Sequence, residues 1–236
     1  MSARRAASGT HTRQRGAAAV EFQIISIMVL IPLLLGVIQL GLLMIAKNTV
    51  NVATLGAARA GAASGGDKDA MKHALMLGLA PLFASSGKLV TGVGMSDIGS
   101  VNYAAVMAAT LARTKLEMGP FARITVLNPT AKSFADFGVD KPGVGRVIPV
   151  TNVMDSNAVG GASGQTRPEA LLLKIEVRYC HQLQIPLISD LILKVLNAPL
   201  SGASLEDRIC YLARRVPIKS QAVVHMTVSP VRGALL

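Results

Sequence analysis

A chain of 236 residues has room for one folded domain and a small appendage. Hydrophobic residues make up 51% of it but aromatics only 3%, and tryptophan is absent, so a core must rest on Ala, Val, Leu, Ile and Met. The formal charge of +11 raises nucleic acid as a partner. However, Arg4, Arg5, Arg13 and Arg15 sit at the N-terminus with no acid beside them, and the rest is spread without a dense basic tract, which argues against nucleic acid and for a basic flank beside a membrane span.

The first element in chain order is a basic leader, residues 1–16, that ends at Gly16. Ala17 follows, then a single carboxylate at Glu21, then Phe22 and an uncharged run of 24 residues to Ile45. As a helix that run is about 36 Å long, enough to cross a hydrocarbon core of about 30 Å with some tilt. It is too long for the apolar core of a secretory signal, about 7–15 residues, and the plausible cut lies before it. A span over 22–46 with its basic end in the cytoplasm delivers everything after Lys47 to the other side. An acid at the edge of a bilayer helix is costly unless something pairs with it, so Glu21 is expected to meet a partner. Inside the span Pro32 and Gly36 stand four residues apart, and proline removes one helical hydrogen bond and crowds the preceding turn. Two readings of that pair stand side by side: a tolerated kink in a bilayer helix, and a place where the helix loosens during packing.

Beyond Lys47 the spacing of Val50, Ala53, Ala57, Ala60 and Ala63 continues the helix to about residue 64, where Ser64-Gly65-Gly66-Asp67 is a stop. The small residues permit close approach of another element. Asp67 to Phe83 reads as a helix with Asp67 as its cap, Gly87 to Gly99 as a loop, and Ser100 to Met118 as a helix broken by Gly119-Pro120. Ala122 to Leu127 alternates as a strand, Asn128 to Arg167 is turn-rich and reads as an exposed loop, Leu171 to Cys180 and Arg215 to Val228 read as strands, and Leu187 to Leu196 as a short helix. The expected fold is α+β: a long N-terminal helix over 17–64, transmembrane in its first half, packed through its second half on a domain over 65–236 that holds an antiparallel sheet and short helices.

No constellation for catalysis or a cofactor stands out. The chain has no Gly-x-Ser-x-Gly, His-Glu-x-x-His or phosphate-loop pattern, and Gly160-Gly161 with Gly164 lies among turn residues rather than between a strand and a helix. Cys180, His181, Cys210 and His225 lack the paired spacing of a zinc site. Cys180 ends one predicted strand and Cys210 precedes the next, so a disulfide between them is favoured over two separate buried thiols. The expectation is no enzyme, no cofactor and no metal.

The Arg13-Gln-Arg-Gly16-Ala-Ala-Ala-Val-Glu21-Phe22 stretch resembles the processing site of type IV prepilins. That likeness implies a prepilin peptidase that cuts after Gly16, and a Glu at mature position five that meets the new amine of a neighbouring subunit. Lys47-Asn-Thr-Val-Asn-Val-Ala-Thr-Leu-Gly-Ala-Ala-Arg-Ala-Gly61 looks like the helix that follows the span in TadE-like proteins of the tight adherence (Tad, or Flp) pilus machinery. Arg123 to Thr130, Phe134 to Gly138, Val177 to Pro186 and Arg215 to Met226 are softer matches to the same group. Mature pilins commonly begin with Phe or Met, whereas Ala17 would come first here. The resemblance implies a minor pilin or pseudopilin of the bacterial inner membrane, its domain periplasmic. Its partners would be other pilin subunits and minor pilins, the inner-membrane assembly platform and the lipid bilayer. An uncleaved scaffold of the same apparatus is the alternative.

Overall fold

The computed structural model describes residues 17–84, 103–151, 158–196 and 204–235. Gly16 and the rest of the leader, and the glycine-rich stretch 87–99, lie outside them. A nearly continuous helix opens the chain: α1 (Ala17–Ile25), a π-helical turn (Ser26–Leu30) and α2 (Ile31–Ala63). Then come α3 (Lys68–Ala84), α4 (Tyr103–Phe121), β1 (Ala122–Asn128), α5 (Ala131–Phe137), β2 (Val139–Lys141), β3 (Gly145–Val147) and α6 (Arg167–Ala170). The chain finishes with β4 (Leu172–Gln182), α7 (Pro186–Leu196), α8 (Leu205–Leu212), β5 (Arg215–His225) and α9 (Arg232–Leu235). The fold is α+β, as the sequence implies.

Helix α2 ends where the glycines allow it. Gly65 and Gly66 both have positive φ, at 71° and 95°, and the Gly66 N–H returns to the Gly61 carbonyl at 2.8 Å. This satisfies a carbonyl the helix end would otherwise orphan. Asp67 then caps α3, accepting hydrogen bonds from the N–H groups of Asp69 and Ala70. The two helices pack closely because their contact positions are small. A Cβ on Gly78 would stand 2.7 Å from the Cα of Ala53, and one on Gly61 would stand 2.7 Å from Met71 Sδ. Close approach of this kind is what the alanine-rich stripe of α2 provides in place of large side chains.

The main sheet has the order β1-β4-β5, antiparallel throughout, and β2 and β3 form a separate hairpin. In the central strand β4, Leu173, Ile175, Val177 and Tyr179 are buried on alternate positions, the period of one face turned to the core. They meet Ala46, Val50, Ala53 and Ala57 of α2 and Met71, Leu75 and Leu79 of α3 in one cluster. The core is therefore a helical hairpin laid on a three-stranded sheet.

Two expectations are corrected. The helix over residues 100–118 does not stop at Gly119-Pro120 but runs to Phe121. Pro120 sits in its last turn, and both it and Leu116, whose carbonyl loses its donor, are exposed residues. The predicted loop over 128–167 holds α5, the β2–β3 hairpin and α6. These short pieces are held by side chains: Thr130 and Ser133 form a capping box at the start of α5, and Arg146 donates to the Phe134 and Ala135 carbonyls at its end.

Candidate membrane and assembly surface

Among the described residues, the first half of the long helix has little protein to lie against. The span Ala19–Ala63 includes an 18-residue window with a mean hydropathy of 2.6, of which 6% is buried. Phe22, Ile24, Ile27, Met28, Leu33 and Val37 are all exposed. Apolar burial on α2 begins only at Gln39 and Ala46 and then recurs at 50, 53, 54, 57, 58, 61 and 62, the i, i+3, i+4 spacing of a packed face. One helix thus serves two environments: its C-terminal half is core, and its N-terminal half is an apolar rod that water would not tolerate bare.

The predicted residues on that rod fall as follows. Ala17 begins α1, and Glu21 is exposed, with no ion-pair partner among the described residues. Pro32 is the second residue of α2, directly after the π-helical turn, whose closing bond runs from the Ile31 N–H to the Ser26 carbonyl. Wider pairing there fits a proline that has no N–H for the Met28 carbonyl and crowds it. Gly36 lies in regular helix with open space around it.

Gln39 is a site residue that sequence reasoning passed over. It is fully buried, and its Oε1 accepts the backbone N–H of Ile185 at 3.0 Å, just before α7 begins. It therefore joins the apolar rod to the domain. An amide deep inside an uncharged, strongly apolar run, where Gln23 stands only at the edge, was the available signal.

Cys180 and Cys210 form a disulfide, with Cα atoms 5.4 Å apart. This removes both sulfurs from any zinc site. The two histidines of that candidate set are also apart, since His181 pairs with Val216 at one end of the β4–β5 ladder and His225 with Leu172 at the other. Among the described residues no group of three His, Cys, Asp or Glu can hold a metal ion.

At the far end of the domain, away from the rod, a polar knot ties down the segment expected to be loop. Asn128 donates to the carbonyls of Glu169 and Leu172 and accepts from Gln165, while Ser133 donates to Gln165 Oε1. Asp136 accepts from the Ser163 hydroxyl and N–H and from the Ala162 N–H. The Ser163 hydroxyl first, then its N–H, hold the Asp136 carboxyl below the usual range against a smaller opposing effect of burial, with Ala162 adding to the lowering. A carboxyl lowered in the folded state contributes stability that is present above its unfolded value, about pH 4, and lost as pH falls through the folded one. Acid titration of the thermal midpoint should show that loss, and Asp136→Asn should flatten it while lowering the midpoint at neutral pH.

These features define a protein class: a helix long and apolar enough to cross a membrane, carrying on its second half a disulfide-bonded α+β domain. Residues 16–59 match the model of the family described as TadE-like protein, so the N-terminal segment of this chain is similar to that family. The match runs from Gly16 through the rod to Arg59 and stops short of most of the domain. No curated protein and no solved structure matches the chain.

Proposed function

We propose that the chain is a minor pilin or pseudopilin of a Tad/Flp-type adhesive pilus, cut by a prepilin peptidase after Gly16 and held by its helix in the bacterial inner membrane. The domain stands on the periplasmic side, with the basic leader in the cytoplasm. The observation that carries this reading is the lone carboxylate of Glu21 at the head of an exposed apolar helix, within a segment that matches TadE-like proteins. Assembly is then the chemistry. Cutting after Gly16 gives Ala17 a cationic α-amine, and an amine and a carboxylate near lipid offset each other's desolvation only when closely paired. The other pilin subunits supply the pairing groups and the inner-membrane platform supplies the site. No catalytic step is assigned to the domain.

Mass spectrometry of protein from its native membrane should find a species that begins at Ala17, and replacing Gly16 with a bulky residue should leave the full-length chain. A chain that still begins at Met1 in cells with an active prepilin peptidase would instead support the uncleaved scaffold. Glu21→Ala should leave the domain folded, since an exposed residue far from the core shifts stability by no more than about 0.5 kcal/mol. Cleavage should persist and the number of pili should fall; normal piliation would remove Glu21 from assembly.

A further inference from the structure

Contacts along the long helix give the level of each part of the domain. Thr227, just beyond β5, hydrogen-bonds to the Ala62 carbonyl; Lys47 Nζ donates to the Lys219 carbonyl; and the Ile185 N–H donates to Gln39. β5 thus runs alongside α2 with its start toward the apolar rod. Arg215 is four strand residues, about 13 Å, nearer the rod than Lys219, which equals about nine helix residues and reaches the level of Gln39. Its ladder partner Gln182 lies three residues before Ile185, so two separate routes give the same level.

That level lies inside the apolar run. Glu21 and Lys47 bracket it, and a hydrocarbon core of about 30 Å centred between them covers roughly residues 24–44, leaving Gln39 about 7 Å within. Helix α7 starts there, and seven of its eleven residues are Leu, Ile or Val. Leu212, the last residue of α8 and three before Arg215, is 82% exposed.

Helix α4 points the same way. Arg113 and Glu117 line a cleft with Leu82, Phe83 and Leu42, whereas Lys115 and Met118 line another with Leu75 and Met76. α4 is therefore antiparallel to α3, and its first ten residues, Tyr103 to Ala112, which carry no charge, lie toward the rod. Arg113, Lys47 and Lys194 are cations of the elements at this end, and Arg214 pairs there with Asp190 of α7. An apolar base flanked by cations is the pattern of a surface seated among acyl chains and phosphate headgroups.

We propose that the domain itself is a lipid-binding module: α7, the first turns of α4 and the tip of α8 sit in the headgroup–acyl boundary of the leaflet that adjoins the domain. A depth of about 7 Å for the α7 attachment falls within the roughly 5–10 Å of interfacial helices. The proposal rests on the reading that the N-terminal helix spans a bilayer, and goes beyond it by making lipid a ligand of the folded domain.

The absence of tryptophan makes single-tryptophan probes free of background. Full-length Met107→Trp, Leu196→Trp and Leu212→Trp are reconstituted at high lipid-to-protein ratio into vesicles of phosphatidylcholine and phosphatidylglycerol with brominated acyl chains. Val37→Trp, in the rod, reports on the anchor, and Val223→Trp, exposed on β5 beyond Lys219, serves as the dry control. The three base probes and Val37→Trp should lose about twofold in emission against unbrominated vesicles, with Val223→Trp unchanged. Quenching of Val37→Trp alone overturns the proposal and leaves the anchor reading intact. Base probes that blue-shift only on filament assembly also overturn it, assigning the face to a neighbouring subunit. Loss of quenching at Val37→Trp removes the anchor reading and this proposal together.

Discussion

Glu117→Ala should lower the unfolding free energy of the domain by about 3–5 kcal/mol, the cost of leaving a buried charge without its partner. The stranded charge is Arg215, whose side chain is 10% exposed and whose Nη2 lies 2.8 Å from Glu117 Oε2. What remains after the truncation is small. Arg215 Nη1 donates to the Cys180 carbonyl at 3.3 Å, and the guanidinium stands 3.7 Å over the Phe121 ring. A cation–π contact contributes about 0.5–2 kcal/mol, which does not offset the lost carboxylate. Lysine cannot replace this arginine without loss, because its ammonium has no flat face for the ring and no planar fork whose two ends reach the carboxylate and the carbonyl together. Glu117→Ala combined with Arg215→Met should recover most of the loss, since an apolar pair of similar volume is often as stable as a buried ion pair. Chemical denaturation of the two single variants and the double variant decides the matter. A loss below about 1 kcal/mol for Glu117→Ala would mean that the pair is hydrated like a surface ion pair. Tyr179 gives a second readout: burial first pushes its phenol up to about 12, Arg215 pulls it down and Glu117 pushes it up, so removing Glu117 should lower it.

What could be read from the sequence depended on how local the cause was. The long helix, its stop at Ser64-Gly65-Gly66 and the cap at Asp67 are visible because hydropathy, glycine conformation and a short polar side chain act within a few residues. The strands β4 and β5 are visible for the same reason, as alternation is a local pattern. The elements between Asn128 and Arg167 are not. α5 has seven residues and the strands of the hairpin three each, and what fixes them are distant bonds such as Asn128 to Leu172 and Asp136 to Ser163. Such pieces carry too little periodicity to stand out against turn residues. Helix α8 was missed for a related reason: Asp207 bonds Lys219 while Cys210 is tied to Cys180, partners a linear reading does not bring together. Of the candidate surface, the rod and Glu21 were legible. Gln39 was named in no motif, because its meaning lies in the level at which α7 attaches.

Breaking the Cys180–Cys210 disulfide should cost about 3–4 kcal/mol, the loop-closure entropy returned to the unfolded chain by a loop of 30 residues, and the effect should be concentrated in that loop. The bridge joins the end of β4 to α8, and between them the chain makes its excursion through α7. The β4–β5 ladder, with eleven paired positions, and the α2–α3 packing do not depend on it. Cys180→Ala with Cys210→Ala should therefore leave the sheet folded while amide exchange quickens most in α7 and α8. Both sulfurs lie in buried residues, so reduction under native conditions should be slow and should follow opening of this end of the domain. The bond also tests topology, because disulfides persist in an oxidising periplasm and are rare in the cytosol. Thiol labelling of protein taken from its native membrane, denatured without reductant, should find no reactive thiol. Two reactive thiols would remove both the bridge and its support for a periplasmic domain.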